Sequence, residues 1–423
     1  MPKAALVEVT TDKYQAKNQL HRKKTRVLKL IITTMILSKL SPFKRLANPQ
    51  IVLLAVVAIL LFQSCSKKHK NGSPLPDNYG DIHQLSITAV DQLTFVLNSD
   101  GSLVGRGASL SQSPKANSAG YLHIADGILS YALTNESAYF YVIKKDNTVW
   151  RGEVDEGNWD PKYPDMLKAD EFITDSAVAL SAGSYFGVIL KKDSTVWAIG
   201  ENHNGQFGLG TMSSGVQELP LTKISEGVKQ IAASRNSIFL LKADNSLWSA
   251  GNNRYGTLGY KTTASTSATF RKVADGVAAV RAEGSNMMLI KLDGTAWSCG
   301  SNANATQGIG PSSQDPVYLH KVGDQVAAVY PMGITSYMIQ TDGTLLTAGF
   351  DPRGKNETGG IVQHLSFTPI AEHVSGISNI GSGARHLIIL QQGTFKMAGE
   401  NSEKQISQSD QALYGSFEKF IMP

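Results

Sequence analysis

DSTVW, residues 193–197, is one of four closely similar pentapeptides in this chain. The others are DNTVW at 146–150, DNSLW at 244–248 and DGTAW at 293–297, so the four copies are spaced by 47, 51 and 49 residues. Weaker copies at 100–103 (DGSL), 342–345 (DGTL) and 392–395 (QGTF) continue the spacing in both directions. Seven copies at a nearly fixed period indicate a repeat fold.

Each copy lies between two short apolar runs, such as IFLL at 238–241 before the third tryptophan copy. Asp-Gly or Asp-Asn between two apolar runs predicts a β-hairpin, because these residues tolerate the positive φ that tight turns need. Runs that are apolar throughout predict strands buried on both faces, as in stacked blades. Small residues upstream (IAAS, 231–234) suit a crowded inner strand, and a fourth segment follows downstream (TFRKV, 269–273).

Four strands in each of seven units predict an all-β fold, a seven-bladed β-propeller of four-stranded antiparallel blades, over residues 81–423. The segment FEKFIM at 417–422 would let the last unit complete its own set of strands. The six aspartates of the repeat could be imagined as a carboxylate ring for cations. Asp at this position bonds its own downstream backbone, however, and we expect a turn role for Asp100, Asp146, Asp193, Asp244, Asp293 and Asp342.

Two loops that follow the repeat carry a shared glycine pattern. They read GENHNGQFGLG at 200–210 and GNNRYGTLG at 251–259, with a variant at 300–310, while the other four loops keep little beyond the first glycine. This pattern resembles the repeats of the regulator of chromosome condensation family, and the resemblance extends from about residue 82 to 423.

For the fold, the resemblance implies a seven-bladed propeller. For function it implies less, since one fold hosts unrelated activities. The eukaryotic member of the family catalyses nucleotide exchange on a small nuclear GTPase and docks on chromatin. Secreted bacterial relatives include a β-lactamase inhibitor that binds its target enzyme through loops on one face.

The N-terminal region has the pattern of an export signal. Residues 51–62 are apolar throughout and follow Lys39, Lys44 and Arg45. Twelve helical residues span about 18 Å, which is too short for a bilayer core of about 30 Å but suits a signal peptide. We therefore assign residues 1–64 to a signal region whose true start is Met35.

Cys65 directly follows Ser64 at the end of this apolar run. This arrangement resembles the lipobox of bacterial lipoproteins, although Phe62 and Gln63 depart from its common pattern. The resemblance implies that Cys65 is lipidated and becomes the first mature residue; the alternative is a signal anchor in which Cys65 is incidental. Residues 65–80 are polar and read as a flexible tether, so we expect an outer-membrane lipoprotein attached through its lipid anchor.

Composition argues against several other functions. The first 64 residues hold 11 Lys/Arg and 2 Asp/Glu, which leaves 29 against 33 in the rest, and a slightly acidic body disfavours nucleic-acid binding. The two cysteines are too far apart in sequence for a metal cluster, and Cys299 reads as a small buried side chain. His386 reads as a hydrogen-bonded packing residue. We find no catalytic motif, metal site or cofactor site in the sequence.

The loop residues that break the repeat are the remaining candidates for function. Trp159 is the one tryptophan outside the series, and His203, Phe207, Arg254 and Tyr255 lie in the two best-kept loops. Ordinary loop packing is the alternative for each of them. We predict a binding module whose loops contact an envelope protein or glycan. The alternatives are an envelope glycan lyase or hydrolase with acid and base from different blades, and a nucleotide exchange factor.

Overall fold

The computed structural model describes residues 86–90, 93–107, 116–134, 139–153, 169–214, 217–311, 313–351, 362–380, 386–402, 404–407, 409–420 and 422. The predictions for residues 1–80, including Cys65, and for Trp159 lie outside these ranges. Within them the chain is all-β, and no helix is long and apolar enough to cross a membrane.

The strands fall into seven groups in chain order, which we number as blades. Blade 1 is β1 (Ser86–Val90), β2 (Leu93–Leu97), β3 (Leu103–Arg106) and β4 (Leu122–Ala125); blade 2 is β5 (Ile128–Leu133), β6 (Tyr139–Lys144), β7 (Val149–Glu153) and β8 (Ala169–Thr174); blade 3 is β9 (Ala177–Ala182), β10 (Phe186–Lys191), β11 (Val196–Glu201) and β12 (Glu218–Ser225); blade 4 is β13 (Val228–Ser234), β14 (Ser237–Lys242), β15 (Leu247–Asn252) and β16 (Thr266–Ala274).

Blade 5 is β17 (Val277–Glu283), β18 (Asn286–Lys291), β19 (Ala296–Asn302) and β20 (Ser313–Gly323); blade 6 is β21 (Val326–Met332), β22 (Thr335–Gln340), β23 (Leu345–Asp351) and β24 (Val362–Ala371); blade 7 is β25 (Val374–Ile377), β27 (His386–Gln391), β28 (Thr394–Glu400) and β29 (Leu413–Lys419). A short strand, β26 (Asn379–Ile380), pairs with β1. Strands pair antiparallel within every blade, so the predicted seven-bladed β-propeller is confirmed.

The repeated string closes the second hairpin of each blade, and in blades 2 to 5 it ends in tryptophan. In blade 3, the Asp193 carboxylate accepts hydrogen bonds from the backbone N–H and the hydroxyl of Thr195, at 3.0 and 2.6 Å. The Thr195 Oγ1 in turn accepts the indole N–H of Trp197 at 2.9 Å. Ser194 between them has a φ of 65°, the left-handed conformation predicted for the turn. The turn role assigned to these aspartates is confirmed.

The same turn attaches each blade to the next one. In blade 3 the carbonyl of Ser194 accepts the N–H of Val228, the first residue of blade 4, at 3.1 Å. The carbonyl of Asn245 accepts the N–H of Val277 in the same way at 2.9 Å. Six junctions use this bond; the donors in the other four are Ile128, Ala177, Val326 and Val374.

The core lies between the blades. The second strand of blade 4 shows this most clearly, because Ile238, Phe239, Leu240 and Leu241 are all completely buried. Ile238 and Leu240 pack towards blade 3, whereas Phe239 and Leu241 pack towards blade 5. Adjacent residues of a strand point to opposite faces. The prediction that continuous apolar runs are covered on both sides is therefore confirmed.

The seventh junction, between blades 7 and 1, is built differently. All four main strands of blade 7 come from residues 374–419, and the short β26 from the same stretch joins the sheet of blade 1 by pairing parallel with β1. The fully buried His386 lies 2.7 Å from the hydroxyl of Thr94 through its Nε2. The Thr94 hydroxyl donates to the carbonyl of Gln405, so it accepts from His386, which requires the proton on Nε2. The packing role predicted for His386 is confirmed.

A buried arginine completes this seam. Arg106 is 1% exposed, donates from Nε to the carbonyl of Lys404 at 3.0 Å, and lies 4.8 Å from the centre of the Tyr121 ring. Burial raises the pKa of Tyr121 to about 12, against the opposing effect of the Arg106 charge, so the phenol is neutral. The guanidinium therefore joins blade 7 to blade 1 through the carbonyl of Lys404.

Replacing this arginine tests the seam. We expect Arg106→Met to lower the free energy of unfolding by about 2 kcal/mol, because the Lys404 carbonyl loses its donor in a buried site. Hydrogen exchange should accelerate in blades 1 and 7 before the other blades. Arg271→Met, in which an exposed arginine is lost, is the matched control and should change stability by less than about 0.5 kcal/mol. Equal losses of unfolding free energy for both variants, or uniform acceleration of hydrogen exchange in all blades, would contradict a role for Arg106 at the junction of blades 7 and 1.

Candidate interaction face

The propeller has two ends with different chemistry. At one end lie the hairpins between the first and second strands and the loops between the third and fourth strands; we call it the loop face. Backbone bonds hold the two sets together, as in Glu201 N–H to the carbonyl of Tyr185 at 3.0 Å and Asn252 N–H to that of Asn236 at 2.9 Å. The opposite end, the turn face, carries the repeated aspartate turns and the connections between blades.

On the turn face, charged groups already bind one another. Lys223, Lys272 and Lys321 pair with the acidic residue three positions later, at 2.8, 2.6 and 2.5 Å. Hydrogen bonds from the Thr or Ser hydroxyl and backbone hold the pKa of the turn carboxylates below their usual range, as at Asp193 and Asp244. The described residues contain no group of three His, Cys, Asp or Glu that could hold a metal ion.

On the loop face, a buried asparagine fixes each of four loops. The Oδ1 of Asn202 accepts the backbone N–H of Phe207 at 2.9 Å, and its Nδ2 donates to the carbonyl of Thr211 at 3.0 Å. Asn253, Asn302 and Asn401 repeat both bonds with the residue five positions later and with a later carbonyl. The loop after β28 is thus a fourth copy, although the sequence comparison found little there beyond its glycine. The string GEN at 200–202 and again at 399–401 was the available signal.

The residue five positions after each asparagine fills the junction with the next blade. Phe207 is completely buried, packs edge-on against Phe186 with ring centres 6.1 Å apart, and joins the core shared with blade 4. Leu258, Gln307 and Ile406 are equally buried at the matching positions. We therefore place Phe207, a candidate binding residue in the sequence, inside the propeller, where a partner cannot reach it.

The loops also reach across to the outer strand of the next blade. Leu209 of the blade 3 loop forms a bridge with Thr269 of β16, and the N–H of Gly210 donates to the carbonyl of Ala268 at 2.7 Å. A Cβ on Gly205 would come within 2.5 Å of the Ala268 Cα, so this close approach requires glycine. Ile309 and Ser366 form the matching bridge between blades 5 and 6. These contacts hold the loops to a rigid scaffold.

Three candidate residues remain at the surface of neighbouring loops. His203 is about one-third exposed, and its Nδ1 lies 3.0 Å from the carboxylate of Glu201. Arg254 is exposed, with its guanidinium 5.6 Å from the centre of the half-buried Tyr255 ring. The two loops are joined because Asn252 Nδ2 donates to Asn204 Oδ1 at 3.0 Å. The structure thus places His203, Arg254 and Tyr255 on one face.

Some surface residues of the loop face had no signal in the repeat. Tyr185 is 41% exposed in the first hairpin of blade 3, and Ile334 is 38% exposed in that of blade 6. Arg271 of β16 lies over the ring of Tyr260, 5.1 Å from its centre. Tyr and Arg are the residues that most often anchor protein interfaces, because they combine apolar area with hydrogen-bonding groups. The arrangement can therefore supply stacking surfaces and N–H donors to a partner.

Comparison with known proteins agrees with the fold. Residues 177–206, from β9 into the blade 3 loop, match the Regulator of chromosome condensation (RCC1) repeat. The chain is similar to yeast RCC1 (Prp20) in its complex with Kap60, with 17% identity and a TM-score of 0.56 over 72% of this chain and 79% of that one.

Two further solved structures have comparable similarity. Human WBSCR16 is 16% identical, with a TM-score of 0.58 over 72% of this chain and 85% of that one. Prp20p from Saccharomyces cerevisiae, solved with a study of its binding to Gsp1p and histones, is 16% identical, with a TM-score of 0.54 over 71% and 81%. No curated protein matches the sequence. Identities this low bear on the fold alone.

Truncating the buried loop residue separates packing from binding. We expect Phe207→Ala to cost about 3–5 kcal/mol of unfolding free energy, because it opens a cavity between blades 3 and 4. Tyr255→Ala, at the surface of the adjoining loop, should cost less than about 1 kcal/mol. Urea unfolding of both variants gives the comparison. If Phe207→Ala left the unfolding free energy unchanged but abolished partner binding, Phe207 would be a binding residue rather than a core residue.

Proposed function

We propose that this chain, a seven-bladed β-propeller with RCC1-type repeats, is a protein-interaction module that binds its partner through the loop face. The observation that carries the proposal is the contrast between the two ends. The turn face uses its charges in local ion pairs, whereas the loop face presents Tyr185, Arg254 and Tyr255 at its surface.

Rigidity supports this assignment. The loops after β11, β15, β19 and β28 are each held by a buried asparagine, and two of them also bridge to the next blade, so their exposed side chains lose little freedom on binding. The yeast RCC1 (Prp20) structure was solved in complex with Kap60, and Prp20p was studied for binding to Gsp1p and histones. A protein partner for this chain is consistent with those examples, while the partner itself must differ if the chain is exported.

We further propose that the protein is exported and tethered. The apolar run at 51–62 followed by Cys65 supports signal cleavage and lipid attachment at that thiol. The mature chain would then hold the propeller beside the outer membrane through the polar tether at 65–80. Its partner would be a protein or a glycan of the cell envelope.

Site-specific photocrosslinking tests the binding face. We expect benzoylphenylalanine in place of Tyr185 or Tyr255 to crosslink to a discrete envelope protein in cells. The same photoprobe in place of Lys192 or Leu292, which lie exposed on the turn face, is the control and should give no such product. Crosslinks from the turn face alone, or from neither face, would contradict the assignment of the loop face as the binding surface.

Metabolic labelling tests the tether. We expect the full chain to incorporate radioactive palmitate and to fractionate with the outer membrane, and Cys65→Ser to lose both properties. Cys299→Ser is the matched control, because its thiol is completely buried and should leave labelling unchanged. Labelling that survives Cys65→Ser would show that the lipid, if any, is attached elsewhere.

A further inference from the structure

Blade 4 has a charge that sets it apart from the rest of the propeller. Residues 228–274 contain one acidic residue, Asp244, on the turn face. They contain seven basic ones, namely Lys229, Arg235, Lys242, Arg254, Lys261, Arg271 and Lys272. The chain after residue 64 has fewer basic than acidic residues, 29 against 33. The excess of positive charge is therefore local to this blade.

Contacts on the turn face account for three of these cations. Lys272 pairs with Asp275 at 2.6 Å, Lys242 donates to the hydroxyl of Ser225 at 2.6 Å, and Lys229 donates to the side chain of Asn245. Both Lys229 and Lys242 are partly buried, and this burial lowers the pKa of their ammonium groups. These three lysines are committed to the propeller itself.

The other four cations are exposed. Arg235 lies in the first hairpin of the blade, Arg254 and Lys261 lie in the loop after β15, and Arg271 lies in β16 opposite Ser249. We call Arg254, Lys261 and Arg271 the basic patch. Arg254 and Arg271 stack on Tyr255 and Tyr260, at 5.6 and 5.1 Å from the ring centres. No acidic side chain among the described residues pairs with any of the three. Stacking holds a guanidinium by its flat face and leaves the N–H groups at its edge for an incoming carboxylate.

The acidic residues of blade 3 at this end are already engaged. Glu201 lies 3.0 Å from His203, and Glu218 accepts from Arg151 at 3.0 Å. Arg151 also holds Glu171 at 2.6 Å, so one partly buried guanidinium binds both carboxylates. Among the described residues, these carboxylates therefore have their partners within blades 2 and 3 rather than in the basic patch.

An apolar border adjoins the basic patch. Leu209 and Met212 of the blade 3 loop are 41% and 55% exposed. Leu209 bridges to Thr269, which is only two residues before Arg271 in β16. A ligand that reaches Arg271 therefore also meets aliphatic surface.

We infer that the basic patch of blade 4 binds an acidic segment of a partner protein, with Asp or Glu side chains on the arginines and aliphatic side chains against Leu209 and Met212. This rests on the proposed loop-face function and names the chemistry of its partner. Bidentate Arg–carboxylate pairs supply direction as well as energy. A nucleic acid is disfavoured, because three cations on a net acidic body make a short site rather than a stripe that follows phosphates.

Binding of defined probes to the purified full chain tests the inference. The probe is a fluorescent peptide of alternating glutamate and leucine, and its counterpart has glutamine in place of glutamate. We expect the glutamate peptide to bind, to weaken as salt rises because exposed charges are screened, and to bind about tenfold or more weakly to the R254E/K261E/R271E variant. The glutamine peptide should not bind.

The control variant K192E/K223E/K321E makes the same charge change on the turn face and should shift affinity by less than about twofold. Melting temperatures check that both variants fold, and R254Q/K261Q/R271Q repeats the test without charge reversal. Equal binding of both peptides, equal binding by both reversal variants, or tighter binding of oligo-dT or phosphatidylglycerol vesicles to the patch would overturn the inference.

Crosslinking separates this inference from the function on which it rests. If Tyr185 and Tyr255 crosslink to a protein while R254E/K261E/R271E crosslinks equally well, the loop face binds a partner that is not acidic. If no loop-face position crosslinks to a protein, the interaction function itself fails, whatever the peptide does.

Discussion

One hydrogen bond organises this propeller: the carbonyl of each left-handed turn residue accepts the first N–H of the next blade. Asn147, Ser194 and Asn245 serve in this way with φ near 66°, and glycines serve at the other turns. The same backbone conformation closes the hairpin and aims the carbonyl outward. One left-handed backbone conformation, repeated once per blade, thus closes the hairpin within the blade and links that blade to the next one.

At the junction between blades 7 and 1, the contacts join residues that are far apart in the chain: Thr94 with His386 and Gln405, and Arg106 with Lys404. These pairs lie nearly 300 residues apart in the chain. No local sequence pattern indicates these contacts. The sequence therefore predicts seven blades, and a last blade that supplies its own four strands, but not the contacts that close the ring.

The same distinction explains which site residues the sequence could predict. Loops were recognisable from their glycines, and His203, Arg254 and Tyr255, which the sequence places in two of these loops, lie on one face of the structure. Nothing in the local sequence separates Phe207 from the surface residues of its polar loop. Its burial becomes evident only when the residue five positions after each asparagine is compared between loops, because Phe207, Leu258 and Ile406 are all apolar and buried. The stacking of Arg271 on Tyr260 depends on how β16 crosses the loop, which no local pattern encodes.

The two faces differ in how strongly the fold restricts their amino-acid sequences. Each aspartate turn makes the bond to the next blade, so six blades repeat Asp followed two residues later by Thr or Ser, and four of them add Trp. On the loop face, the fold fixes the buried asparagine and the residue five positions later, together with closely packed residues between them such as Gly205, Gln206 and Thr257. Exposed side chains in the same interval, such as that of Arg254, contribute little to the fold. Specificity for a partner can therefore change there without cost to the ring.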